Sequence, residues 1–443
     1  MLHHKLWPIA LACAVPCLSA QAQSPADLQQ EIAALRAQIK ALSDKVEALS
    51  TSTTNTQTAH GDSTQQVTQL EQKLNLAQED AIKSGFKGLK IKGVLEAMYL
   101  RDSSAGVNTF SAAGDGGYAT GMLDLSKEVD GGGGVNWTLR LMPGSSHLVN
   151  EATVSFPISE STRVYGGLIP DFQGYESGFA HLNPLLTHNA LFDLAGPTNY
   201  TGIGMGYAIS KDLALKWMIG NIDGAADDAG AYPNAPTPPL PPAPVPRTAG
   251  LAYRLDWTVN DYASLGLSGA HATSARQFNA VALDGGYIRG NWLFNGQLNV
   301  GNLTAGAYNG SDARWWGLSA LAGYKVTPRL QLLARADYLN NQDNGGGIYV
   351  GHYFNNLQDI SKLSPLAGTG LGPKLNDVGG IIDPVVGADL TRVSLGTNYS
   401  INPSTQWKTE LRVDQSTGFN FVDENGSFTQ HKTTVGTSVV VSF

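Results

Sequence analysis

Cysteine is nearly absent from this chain. Only Cys13 and Cys17 occur in 443 residues, and both fall inside one short apolar segment near the start. That segment, Leu6 to Leu18, follows the weakly basic His3, His4 and Lys5 and precedes Ala20-Gln21-Ala22. A basic, then apolar, then A-x-A order is that of a cleaved export signal, so residues 1–22 read as one. Neither cysteine has the leucine three positions upstream that a lipoprotein signal uses. A mature chain starting near Gln23 then carries no thiol. This excludes disulfides, thiol catalysis and cysteine-ligated metal, and it suits passage through an oxidising periplasm. Long apolar runs are missing as well. The signal is too short to remain as a membrane helix and no longer run follows it, which excludes a helical membrane protein. Charge is sparse, at 15% of residues, and 37 acids against 29 bases give a net −8. An acidic chain of this kind is a poor partner for nucleic acid.

What is abundant is glycine, with 51 residues. The mean hydropathy of −0.13 is that of a soluble protein. It is equally that of a membrane barrel, in which lipid-facing and lumen-facing residues alternate and average out.

Two domains are expected. Over residues 23–85 the pattern is helical. Leu28, Ile32, Leu35, Ile39, Leu42, Val46 and Leu49 recur at alternating steps of four and three, an a/d heptad seam with solvated flanks. A polar stretch from Ser50 to Thr64 separates it from a weaker seam at Val67, Leu70, Leu74, Ala77 and Ala81. A helix this short is marginal alone in water, so the seam implies a partner chain. From residue 86 to 443 the period changes to two. About sixteen antiparallel strands are expected, from 88–101 to 431–443, among them 281–292 and 297–307. Tight connections such as Ser210-Lys211, Thr327-Pro328 and Asn402-Pro403-Ser404 alternate with long ones, Asp171–Pro197, Gly224–Pro246 and Asn341–Asp389. An even strand number and short turns on one rim describe an all-β transmembrane barrel.

The last strand shows the pattern at its clearest. Thr433, Val435, Thr437, Val439 and Val441 share one face, and Lys432, Thr434, Gly436, Ser438, Val440 and Ser442 share the other, which is mostly polar. A charge at mid-membrane on the lipid face costs roughly 2–4 kcal/mol, so charged positions are assigned to the lumen. By alternation these include the bases Lys90, Lys92, Arg140, Lys216, Arg254, Arg289, Arg335, Arg392, Lys408, Arg412 and Lys432. The acids are Glu96, Asp124, Glu151, Asp256, Asp337, Glu410 and Asp414. Lumen bases outnumber lumen acids although the whole chain is acidic, and basic rings favour anions. The competing reading is that opposite charges on neighbouring strands pair across the wall and stiffen it. Trp257, Tyr324, Tyr338, Tyr399 and Trp407 fall near strand ends on the outer face, where aromatic girdles sit.

The final strand, closing on Phe443, resembles the C-terminal signature that the barrel assembly machinery reads in bacterial outer-membrane proteins. Gly166-Gly167-Leu168-Ile169-Pro170-Asp171-Phe172-Gln173-Gly174-Tyr175-Glu176 resembles the strand-to-loop passage of outer-membrane porins of the OmpL-like class. Asn183-Pro184, Pro197 and Tyr200-Thr201-Gly202 continue the likeness. The N-terminal heptads resemble the helical extension of sucrose-type sugar porins. The resemblance implies a porin in the bacterial outer membrane, embedded in lipid. It also implies a homotrimer and an inward-folded constriction loop at 171–197.

Other chemistry is thin. His181 and His188 lie near Glu176 and Asp193, but spacing this loose is that of ordinary polar loop residues. Asp223, Asp227 and Asp228 lack the spacing of an EF-hand. No nucleophile elbow, P-loop or zinc-protease motif is present, so neither an enzyme nor a cofactor is expected. Gly131–Gly134 lacks the helix that a phosphate cradle needs, and the proline-rich 236–244 reads as a stiff extended spacer. Three functions compete. The first is a passive porin for small hydrophilic solutes with weak anion preference. The second is a structural protein whose coiled coil tethers a periplasmic or cell-wall partner, and the third is a barrel hydrolase.

Overall fold

The computed structural model describes residues 88–103, 107–114, 119–127, 134–143, 148–178, 182–196, 199–223, 249–272, 277–304, 312–343, 373–383 and 385–443. The expected signal peptide and heptad seam lie outside these residues. The chain forms β1 (Leu89–Asp102), β2 (Val107–Ala112), β3 (Gly121–Lys127), β4 (Asn136–Leu141), β5 (Val149–Ser159) and β6 (Thr162–Pro170). A short helix α1 (Ala190–Leu194) precedes β7 (Asn199–Ala208), β8 (Leu213–Asp223), β9 (Ala249–Asn260), β10 (Ala263–Ala272), β11 (Phe278–Arg289) and β12 (Trp292–Leu303). There follow β13 (Ala313–Lys325), β14 (Leu330–Asp343), β15 (Leu390–Asn402), β16 (Thr405–Ser416), β17 (Phe421–Val422), β18 (Phe428–Thr429) and β19 (His431–Ser442).

From β3 to β16 each strand pairs antiparallel with the next, β16 pairs with β19, and β19 and β3 both pair with β1. The sheet is therefore closed. Setting aside β2, which borrows the far half of β1 as a hairpin partner (Ala97↔Ala112), sixteen strands make the wall. Closure leaves no open edge to hydrogen-bond in lipid. The seam is finished by Phe443, whose N–H donates to the Gly93 carbonyl at 3.0 Å and whose carbonyl accepts from Gly93 at 2.8 Å. A Cβ on Gly93 would lie 2.2 Å from the Phe443 ring, so only glycine lets that ring cover the outer face of β1 there.

The alternation in sequence becomes alternation in burial. In β13, Ala313, Trp315, Gly317, Ser319 and Leu321 point inward and are buried, while Arg314, Trp316, Leu318 and Ala320 are exposed. In β19, Lys432, Thr434, Gly436, Ser438 and Val440 face in, and Val435, Val439 and Val441 face out. Two expected strands are displaced. β11 and β12 turn at Gly290-Asn291, where Gly290 has φ 60°, rather than after residue 292. The hairpins β1–β2 and β17–β18 had no counterpart in the sequence reading. β17 and β18 are two residues each, too short to show a period, and β2 has no charge to mark its faces.

Candidate functional site

β6 ends at Pro170, which has no N–H to continue a ladder. The chain then leaves the rim, and 171–178 and 182–196 lie inside the barrel. The residues that hold it inside come from both the loop and the facing wall. Asp171 accepts from the Tyr200 hydroxyl at 2.5 Å and from Gln173 N at 3.0 Å. Burial pushes the Asp171 carboxyl up to about 7, against those hydrogen bonds. The Phe172 carbonyl accepts from Arg254 at 2.9 Å, and Lys216 Nζ stands 4.6 Å from the Phe172 ring centre. Tyr175 and Ser319 share a 2.7 Å hydrogen bond.

The centre of the docking surface is Arg335 of β14. Its guanidinium donates to Glu176 at 2.9 Å, to the Thr187 carbonyl at 2.8 Å and to the His188 carbonyl at 2.7 Å. Glu176 accepts a second bond from Asn189 N at 2.6 Å. Burial raises the Glu176 carboxyl to about 7, with Arg335 opposing. Beside it, Glu410 accepts from Leu186 N at 2.9 Å, Thr187 N at 2.7 Å and Thr187 Oγ1 at 2.8 Å. Lys408 donates to the Asn183 carbonyl. Asp337 accepts from Ala190 N at 3.1 Å at the start of α1, whose N-cap Asn189 accepts from Phe192 N at 2.7 Å. Arg392 donates to Asp193 at 2.6 Å, Asp414 at 2.8 Å and the His188 carbonyl at 3.0 Å. Burial alone would raise Asp193, but Arg392 outweighs it and holds that carboxyl below its ordinary value.

Leucines fill what the polar contacts leave. Leu191 lies where a Cβ on Gly317 would come within 2.3 Å, and Leu185 does the same at Gly396 with 2.5 Å. Behind α1, Leu191, Leu194, Tyr200, Phe278, Trp315, Leu339 and Leu390 form a buried apolar cluster inside the barrel. The loop is thus a packed layer on the inner face of β13–β16. It carries a hydrophobic core of its own.

This arrangement changes the meaning of the expected pore lining. Arg335, Asp337, Arg392, Lys408, Glu410, Arg412 and Asp414 all point inward, yet each is 5% exposed or less because the loop covers it. Arg335, Asp337, Arg392, Lys408 and Glu410 bond the loop, while Asp414 pairs with Arg392 and Arg412 on the wall. Arg254 is half-committed, bound to Asp284 at 2.8 Å and Asp256 at 2.6 Å. Arg140 bridges Asp124 at 2.6 Å and Glu151. Arg289 corrects the alternation: it shares the outer face of β11 with Leu283 and Tyr287 and packs 4.9 Å from the Tyr262 ring. At the rim a lipid-face charge costs only about 0–1 kcal/mol, so nothing drives it inward.

The partly exposed inner face lies on the other side. Lys90 and Lys92 of β1 are exposed, and Asn136, Thr138, Arg140, Glu151, Thr153 and Arg163 of β4–β6 are partly so. Arg163, absent from the sequence reading, stands on one hydrogen-bonded row with Lys216 and Arg254, through Gly206. Register alone would have revealed that row. As for metal, Glu176 and Asp193 are bound to arginines, His188 stacks on Phe192 at 4.0 Å and donates from Nε2 to the Ser177 carbonyl. No group of metal-ligating side chains occurs among the described residues.

A sequence-family model described as Putative beta-barrel porin-2, OmpL-like, matches residues 89–443. No curated protein matches by sequence. Among solved structures, an anion-selective porin from Comamonas acidovorans is similar at 12% identity and TM-score 0.50, covering 80% of this chain and 99% of its own. The trimer form of OmpT, an outer membrane protein of Vibrio cholerae, is similar at 10% identity and TM-score 0.51, with 80% and 99% covered. The outer membrane channel DcaP of Acinetobacter baumannii is similar at 11% identity and TM-score 0.50, with 80% and 97% covered. At these identities the likeness is one of fold.

Proposed function

Since the chain belongs to the OmpL-like beta-barrel porin family, we propose that it is a passive channel of the bacterial outer membrane for small hydrophilic solutes, with a weak preference for anions. The observation that carries this is the docked loop, which layers one side of the inner wall and leaves the polar face of β1 and β4–β6 partly open. A sixteen-stranded barrel is too wide for wall side chains alone to fill. A loop packed on one side narrows the lumen to an off-centre path. Along that path Lys90, Lys92, Arg140 and Arg163 face Asp124 and Glu151, an excess of bases carried by residues other than the buried arginines.

The same reading makes the protein a channel and not an enzyme. Its remaining parts are a homotrimer, supported by the trimeric neighbour, periplasmic heptads at residues 28–49, and recognition of the closing strand and Phe443 by the assembly machinery. The tether reading has no observation of its own in its favour. Planar-bilayer recording tests the channel. Purified protein should give stepwise currents with an anion-side reversal potential under a salt gradient. Lys92→Glu with Arg163→Glu should move that potential toward cations. An absence of current steps overturns the channel, and an unmoved potential overturns the assignment of the path.

A further inference from the structure

The outer wall carries a depression that the channel does not use. Cross-strand register places Leu265, Gly285, Gly296, Ala320, Ala336 and Val393 on one row across β10–β15, all facing out. Four adjacent strands thus present only glycine or alanine. One row toward the long loops, Leu267, Leu283, Leu298 and Leu318 stand out from the wall, each 38–48% exposed. Toward the short turns the groove is flanked by Tyr287 and Phe294. Over the glycine and alanine row, walled by Leu265, Tyr287, Phe294 and Val393, lies an apolar groove of about 760 Å³, within the size range of small-molecule sites.

The charge at its short-turn end points to the occupant. Arg289 is exposed on the outer face, in one row with Trp292 and Tyr324. It lies four residues from Gly285 along β11, about 14 Å at roughly 3.4 Å per residue. A cation among girdle aromatics marks the headgroup level, and an apolar trough beginning there runs into the hydrocarbon. A second barrel would gain nothing from exposed cations, Arg289 with Lys325 and Arg329 at the neighbouring turn, at one end of an apolar groove, whereas a phosphodiester with acyl chains has the same polarity over the same span.

We propose that this groove binds one phospholipid of the periplasmic leaflet, its phosphate on Arg289 and an acyl chain over Gly285, Gly296, Ala320 and Ala336. The site rests on the short turns being periplasmic and is independent of whether the lumen conducts. Native mass spectrometry of the detergent-solubilised full chain, in micelles doped with dioleoylphosphatidylglycerol, tests it. The wild-type barrel should retain one lipid. Occupancy should fall at least tenfold both in Arg289→Glu and in Ala320→Leu/Ala336→Leu, with heat-modifiable migration confirming that each variant folds. Equal retention in all three proteins, or no retained lipid in the wild type, overturns the proposal. So does a loss of oligomer mass in Ala320→Leu/Ala336→Leu with lipid binding unchanged, which would assign the groove to a second copy of the chain.

Discussion

At the scale of single residues, Arg335 is the most consequential side chain in the molecule. It is fully buried, and it spends its donors on Glu176 and on two loop carbonyls. Truncating one partner of such a node leaves the others desolvated and unpaired, which costs roughly 3–5 kcal/mol. Arg335→Ala should therefore release the loop while the wall, built from its own ladders, persists. Single-channel conductance should rise, and limited proteolysis should cut between 171 and 198 in the folded barrel. An unchanged conductance with an uncut loop would show that Glu410 and Arg392 hold the loop without it. Glu176 offers a second test, with the sign set by its raised value. A released carboxylate titrates near 4.5, whereas the docked one titrates near 7. Between those values the docked state holds a proton that the released state has lost, so docking strengthens as pH falls from about 7 to 4.5 and weakens as pH rises. Asp171, also near 7 when docked, adds in the same direction. Loop amide hydrogen exchange, corrected for intrinsic rate, should slow from pH 8 to pH 5. Glu176→Gln should flatten part of that dependence.

At the scale of elements, the decisive contacts are β19 with β1 and the loop with β13–β16. The first closes the sheet, and its last rung is Phe443 on Gly93. Removing Phe443 deletes two backbone hydrogen bonds and the ring that covers Gly93. The expected outcome is a lower yield of heat-modifiable barrel in outer-membrane fractions. A normal yield would show that pairing from Val94↔Ser442 onward suffices. The strands themselves were legible because alternation is local. Leu411 and Val413 facing out between Glu410, Arg412 and Asp414 facing in can be read from five consecutive letters. β17 and β18 were not, since two residues cannot establish a period, and β2 carries no charged residue to mark its faces. Arg289 was misplaced because a charge at a strand end carries no strong preference for either face, while Leu283 and Tyr287 beside it already defined the outer one.

At the scale of the whole molecule, the barrel is an outer-membrane porin fold, and two unequal terms bear on the oligomeric state proposed for it. Ile or Val at a with Leu at d favours a two-stranded coil in isolation. Barrels held side by side would raise the local concentration of the helices enough to override that preference. Detergent-solubilised full-length protein should accordingly have the mass of three chains, and cross-linking in the membrane should stop at three. A two-chain mass would hand assembly to the heptads.

Strand number, the lipid-facing set and the inward direction of Arg335, Arg392, Lys408 and Arg412 were determined by the amino-acid sequence alone. Each follows from a two-residue period and from the cost of a charge in hydrocarbon. What those inward charges do was decided only by tertiary structure. Glu176 meets Arg335 across 159 positions and Thr187 meets Glu410 across 223, and no local pattern encodes a partner at that distance. Leu185, Leu186, Leu191 and Leu194 mark the loop as one that packs against something, but they do not name the strands it packs on. Only when 171–178 and 182–196 settle on the wall do Arg335, Arg392 and Lys408 become buried anchors. The reason is physical: facing a lumen is a property of one strand, whereas being wetted by it depends on everything else packed inside.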